Sequence, residues 1–239
     1  MVLQPPGNIQ RGSTYFIILM RISDSLADLE VVAPLLRQHL AACGWAVSES
    51  KFQVPGLSAK FLGVIWSSKT KAIPEAIIEK IQAYPRPTTM KQLQTFVGLL
   101  EYWRPFVPHL AQMIKPLYGL SKKGATWDWD NEAGTDLLAA KWAIQQTQAL
   151  QVIDQGCPFE LDVHVTTDGF GWVLWQRMEC FRTPVGFWSQ LWKGAELQYS
   201  LIQKELAAAY AALQAYETVT DWATVIVQMT YPIVGWVHS

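Results

Sequence analysis

Cysteine is scarce and scattered, with only Cys43, Cys157 and Cys180 in the chain. An odd number at wide spacing gives neither a disulfide framework nor paired metal ligands, and suits a reducing intracellular compartment, cytoplasmic or nuclear. Long hydrophobic runs are also lacking. No stretch approaches the roughly 18 apolar residues that a membrane span needs, and no basic region followed by an apolar one opens the chain, so it reads as soluble, without a membrane partner. Internal repeats and low-complexity runs are absent as well.

What is present is apolar and aromatic. Half of the 239 residues are hydrophobic, enough for a sizeable core, which excludes a disordered tail. Twelve residues are Trp. Trp66, Trp103, Trp127, Trp129, Trp188 and Trp192 sit beside turns or polar residues, where they serve either as core filler or as exposed stacking surfaces. The net charge of −1 conceals an asymmetry. From Lys51 to Lys123 there are 11 Lys and Arg against three Glu, a local balance of +8 that leaves −9 for the remainder. A basic middle segment carrying Tyr84, Tyr102, Trp103 and Tyr118 suits a polyanionic partner, and equally a solvated face of an ordinary domain.

Hydrophobic spacing divides the chain. Phe16 to Met20 is a continuous apolar run of strand character. Asp24 or Ser25 then caps a helix whose Leu29, Val32, Ala33, Leu36 and Leu40 form one stripe, and Gly44 ends it. Trp45 to Val47 and Lys60 to Trp66 read as strands of a hairpin or meander separated by Pro55 and Gly56. Pro74 opens a short helix through Ile81, Pro85-Arg86-Pro87 breaks it, and Thr89 with Gln92 forms a capping box before Leu93, Phe96, Val97 and Leu100. Asp130 or Asn131 caps a helix to about Gln148. The pattern then turns to strands. Phe159, Leu161, Val163 and Val165 alternate with Glu160, Asp162, His164 and Thr166; Gly171 to Gln176 and Pro184 to Trp188 are two further strands. A long helix through Ile202, Leu206, Ala209, Tyr210 and Leu213 follows, then a strand from Ala223 to Met229.

These motifs carry a resemblance. "KFLGVIW" (Lys60 to Trp66), "YPRPTTMKQLQTFVGLLEYWRPFVPHLAQMIKPLYGL" (Tyr84 to Leu120) and "WDW" (Trp127 to Trp129) resemble the palm end and thumb of a retroviral reverse transcriptase. "PFELDVHVTTDGFGWVLWQ" (Pro158 to Gln176), "TPVGFWSQ" (Thr183 to Gln190) and "YSLIQKELAAAYAAL" (Tyr199 to Leu213) resemble the ribonuclease-H-like unit that follows it, called the connection where it lacks catalytic acids. The resemblance runs from Tyr15 to Val237 and suggests a fragment of an endogenous retroviral Pol polyprotein. The fold class it implies is α/β (α+β), with an unmatched segment over residues 1–13, a palm remnant over 14–72, a helical thumb over 73–150, and over 151–239 a truncated RNase H-like mixed sheet with a flanking helix.

The resemblance also names two chemical centres, both degenerate. In the family the palm strand carries Tyr, any residue, Asp, Asp; "YFIILMRISDS" places Ile17 and Ile18 where the two aspartates belong. Polymerisation needs those carboxylates to hold two Mg²⁺ ions, and isoleucine has no oxygen to offer. Asp24 and Asp28 fall at the helix start, where capping explains them. In active ribonuclease H relatives the first strand supplies an Asp, the long helix a Glu, and the fourth strand ends in an Asp. Here those positions hold His164, Glu205 and Tyr231, so Glu205 alone is retained. Asp162 and Asp168 are candidate substitutes. No cofactor is expected, although the family uses Mg²⁺, and no catalytic residue is assigned.

Three functions follow as expectations. The first is a non-catalytic fragment that binds the backbone of an RNA/DNA hybrid or duplex weakly and without sequence preference, through Lys80, Arg86, Lys91 and Arg104 with Gln92 and Gln94 beside the shallow minor groove. The second is residual ribonuclease H or polymerase activity. The third is a structural or protein-interaction relic that self-associates or binds an intact retroviral polymerase, because an isolated thumb and connection expose surfaces that normally pack.

Overall fold

Residues 25–46, 48–49, 52–122, 124–178, 181–220 and 223–230 are described by the structure, a computed structural model. The palm-strand positions Ile17 and Ile18, the position Tyr231, and Asp24 lie outside them. The chain divides into two compact units, Met1–Ser68 and Lys69–Ser239.

In the first unit, helix α1 (Leu26–Ala42) starts where the Ser25 hydroxyl accepts the Asp28 amide at 3.3 Å. It ends in a Schellman closure, with Gly44 N–H bonded to Ala41 O at 3.0 Å and Trp45 N–H to Leu40 O at 2.9 Å. The stripe Leu29, Val32, Ala33, Leu36 and Leu40 is half-buried, and no residue of the helix is fully buried. Trp45 and Ala46 are not in a strand, contrary to the reading of that segment. Lys60 to Trp66 is not one strand either. It folds back as β1 (Ser58–Phe61) against antiparallel β2 (Val64–Ser67), closing at Phe61 and Val64. The two turn residues between, Leu62 (φ 49°) and Gly63 (φ 79°), are both left-handed, as a two-residue turn matched to strand twist requires. The Gln53 side chain imitates a strand neighbour, accepting from Lys60 N–H at 2.7 Å and donating to Lys60 O at 2.6 Å.

The second unit begins with β3 (Thr70–Ala72), which pairs antiparallel with a two-residue strand, β4 (Leu150–Gln151). Between them lie α2 (Glu75–Gln82), α3 (Met90–Tyr102), a 3-10 turn (Arg104–Phe106), α4 (Leu110–Met113), α5 (Lys115–Ser121) and α6 (Asn131–Gln145). Their shared core includes Ile81, Leu93, Phe96, Leu100, Leu110, Ile114, Leu117 and Ile144, none with any solvent exposure. The α3 capping box takes a variant form. Thr89 Oγ1 accepts the Gln92 amide, but Gln92 Oε1 reaches back to Thr88 N–H at 2.8 Å rather than to Thr89. Asp130 caps α6 at 2.8 Å, and the helix ends at Gln145, short of Gln148. At the end of α2, buried Lys141 of α6 donates to the carbonyls of Gln82 (2.9 Å) and Tyr84 (2.5 Å), groups left without helical partners.

The remainder is a four-stranded sheet with spatial order β7-β6-β5-β8, formed by β5 (Phe159–Val165), β6 (Gly169–Met178), β7 (Phe181–Leu191) and β8 (Val225–Gln228). β5 to β7 are antiparallel neighbours, whereas β8 runs parallel to β5 after the crossover helix α7 (Leu201–Thr220). Phe159, Leu161 and Val163 pack with Trp172, Leu174 and the small residues Ala208, Ala209 and Ala212, which let α7 approach closely. The opposite face departs from simple alternation. Glu160, expected as polar surface, is 1% exposed. Arg177 and Arg182 approach its two oxygens at 2.5 and 3.0 Å, and Arg182 also holds Asp162 at 2.6 Å while lying over the Trp175 ring. Two guanidinium groups thus roof a buried carboxylate.

Candidate nucleic-acid interface

The basic elbow between α2 and α3 is built from helix ends. Lys80 is in the last turn of α2, where a cation complements the helix dipole, and is exposed. Arg86 projects between Pro85 and buried Pro87; its guanidinium lies 5.6 Å from the Trp129 ring and donates to Trp129 O at 3.4 Å. Trp127 stands beside Trp129, ring centroids 5.7 Å apart and tilted by 31°. Lys91 occupies the second position of α3, where the dipole disfavours a cation, so helix stability does not explain it. Among the described residues neither Lys80 nor Lys91 has an ion-pair partner.

The two glutamines each use one polar atom internally. Gln92 Oε1 holds Thr88, and Gln94 Nε2 donates to Ser121 O at 2.8 Å, tying α3 to α5. Arg104 departs from the expected set. Its side chain is 18% exposed, pairs with Glu101, reaches Tyr118 Oη at 3.3 Å and lies 5.1 Å from the Trp188 ring. It is engaged within the protein rather than presented to a phosphate.

Of the acid positions, His164 and Glu205 are described, His164 near the far end of β5 and Glu205 in α7. His164 is exposed, its ring 5.1 Å from that of His109 at 70°. Burial, and then the neighbouring His164, hold the His109 pKa below the ordinary histidine value. His109 itself has a left-handed backbone (φ 55°) at the start of α4, and a side chain on Gly171 would approach its Nδ1 to 3.3 Å and Trp188 O to 2.8 Å. Glu205 is 2% exposed and accepts the Thr230 backbone N–H just beyond β8. Asp162 is held by Arg182, and Asp168 by Lys115 at 2.6 Å.

These donors do not fit Mg²⁺. An imidazole is a poor ligand for it, the Glu205 carboxylate accepts a backbone hydrogen bond, and both substitute aspartates are paired to cations. Among the described residues no three His, Cys, Asp or Glu side chains are grouped to hold a metal ion. No helix among them is long and apolar enough to cross a membrane.

Residues 129–227 match the family described as the RNase H-like domain found in reverse transcriptase. The Tf2-3 and Tf2-4 transposon polyproteins of Schizosaccharomyces pombe are each 26% identical over 178 residues, 74% of this chain and 13% of theirs. The chain is thus similar to part of a retrotransposon polyprotein and, over residues 129–227, to a reverse-transcriptase domain. It spans only about an eighth of those polyproteins. The fold is shared with the foamy viral protease-reverse transcriptase in complex with double-stranded DNA (TM-score 0.75, 22% identity, 86% of this chain and 36% of that one). It is shared equally with the RNA/DNA hybrid complex of the same enzyme (TM-score 0.76, 21% identity, 89% and 30%).

Sequence reasoning singled out Arg86 and "WDW" separately but did not join them; the shared feature, a cation near paired indoles across 43 positions, is invisible to local spacing. The tryptophans also sort differently from expectation. Trp103 and Trp192 are buried, Trp66, Trp127, Trp129 and Trp188 half-buried, and among the described residues the prominently exposed one is Trp142 at 63%.

Proposed function

We propose that this reverse-transcriptase segment binds the sugar-phosphate backbone of an RNA/DNA hybrid or duplex weakly and without sequence preference, and performs no chemistry on it. The observation that carries this reading is the elbow itself: Lys80 and Lys91 exposed without ion-pair partners, with Arg86 stacked near Trp129 between them in sequence. Cations of this kind contact phosphates and release counterions, which gives affinity without base reading. The complexes of the foamy viral enzyme with double-stranded DNA and with hybrid support the assignment. The reading without catalysis is supported by the donor set, which among the described residues holds no carboxylate cluster.

The test is binding of the protein to a fluorescent RNA/DNA hybrid in Mg²⁺, with the hybrid then run on a denaturing gel. Intact RNA and binding weakened by Arg86→Glu with Lys91→Glu are expected. RNA cut by wild type but not by Glu205→Gln would replace the reading with residual ribonuclease H activity.

A second reading, self-association or docking on an intact polymerase, is favoured by a stripe on α7. Leu206, Tyr210 and Leu213, at helical spacing, are 45%, 64% and 42% exposed. A concentration-dependent mass in light scattering, lost in Leu206→Lys with Leu213→Lys, is its signature.

A further inference from the structure

A cavity of about 310 Å³ lies within the second unit, away from the elbow residues. Its walls come from β3, the 3-10 turn, β6, β7 and α7, and most are apolar, Pro105, Val185, Phe187 and Trp188 among them. That volume is at the lower end of the range for small-molecule sites. Its polar lining is one-sided. Lys71, Trp172 and Tyr216 supply donors, and among the described residues no carboxylate lines it. The Trp172 indole N–H is buried, and the hydroxyl of Tyr216, the group it faces, is not placed for a well-formed hydrogen bond. Among the described residues the Lys71 ammonium has no carboxylate partner, and burial lowers its pKa.

Burial pushes the Tyr216 hydroxyl up to about 12, the nearby Trp172 N–H pulling the other way, so the phenol remains a donor across the physiological range. Gly186 keeps the space open, since a side-chain carbon there would lie 3.3 Å from Tyr216 Oη. A buried indole N–H without a well-formed hydrogen bond is costly, and the half-buried Lys71 ammonium without a carboxylate partner adds to that cost. A ligand that supplies negatively charged acceptors and an apolar ring would relieve both at once.

We infer that this cavity is a binding site for a small aromatic carboxylate, the apolar walls taking the ring and Lys71, Trp172 and Tyr216 taking the carboxylate. A neutral aromatic would leave the ammonium uncompensated. A bare phosphate would leave the aromatic walls unfilled.

The experiment titrates the full chain with naphthoate and with its neutral isostere naphthamide, read by saturation-transfer NMR and calorimetry. Naphthoate is expected to bind roughly tenfold or more tightly than naphthamide, the value of one charge-assisted contact. Lys71→Met is expected to abolish that preference, and Gly186→Ala to weaken both ligands by filling the space. Should Gly186→Ala fail to fold, the comparison of the two ligands on wild type and on Lys71→Met still decides. Absence of naphthoate binding, equal affinity for the two ligands on wild type, or a preference that persists in Lys71→Met would each overturn the assignment.

Discussion

Removing Lys91 should weaken nucleic-acid binding and removing Arg104 should not, although both residues lie in the same basic segment. Of the expected cations, Lys80 and Lys91 are exposed with no ion-pair partner among the described residues and Arg86 is exposed beside Trp129, whereas Arg104 is 18% exposed and engaged by Glu101, Tyr118 and Trp188. Each neutralised phosphate on a duplex contributes about −0.9 to the slope of log affinity against log salt. Three contacts give a slope of about −2.7, and hence a roughly fortyfold loss of affinity between about 50 and 200 mM salt. Lys91→Gln should bring the slope to about −1.8, whereas Arg104→Gln should leave it unchanged and lower stability instead. Fluorescence anisotropy with a hybrid, repeated across salt, measures all three slopes. If Arg104→Gln flattens the slope as much as Lys91→Gln does, the assignment of Arg104 to internal packing is wrong.

Gly171→Ala would place a methyl 2.8 Å from Trp188 O, and an overpacking cost of about 1–3 kcal/mol should appear as a lowered midpoint in urea unfolding. Glu205→Leu leaves the Thr230 amide without its acceptor and should destabilise by about 1–3 kcal/mol, whereas Glu205→Gln, which still accepts, should cost far less; thermal melts separate the two. His109 contributes a pH dependence. Its folded pKa is depressed, so the unfolded chain binds the proton first, and stability held above the ordinary histidine range falls as pH drops through that range toward the depressed value. His109→Gln should flatten urea midpoints measured between about pH 7.5 and pH 5; an unchanged pH profile would contradict the burial of that imidazole.

Much of the architecture was legible because it is local. The α1 stripe, the Asp130 cap, the break at Pro85-Arg86-Pro87 and the strand periodicity from Phe159 all depend on neighbours within one or two turns, and the structure realises each. The errors arose where the chain's partners are distant or where two residues decide a reversal. Lys60 to Trp66 looked like one β-favouring run, yet Leu62 and Gly63 turn it back on itself. Strand alternation placed Glu160 on the surface, because a sequence does not show Arg177 and Arg182 arriving to cover it. The candidate site was legible as chemistry and not as geometry. The basic segment and its resemblance suggested Lys80, Arg86, Lys91 and Arg104 alike, but the engagement of Arg104 depends on Trp188, 84 positions later, and the pairing of Arg86 with Trp129 spans 43 positions.

The contacts of Arg104 with Trp188 have neighbours that extend their meaning. Ala111 N–H is accepted by Ser189 Oγ at 2.9 Å, and Gln112 Nε2 donates to Phe170 O at 2.9 Å. The helices from Glu75 onward and the sheet from Phe159 are therefore stitched by polar groups whose loss of partner would be penalised on both sides. Such a unit should melt as one cooperative transition, and cutting the gene between α6 and β5 should yield two insoluble halves rather than two domains. Neither the helices nor the sheet is then a unit that selection or decay could lose alone; they persist together or not at all.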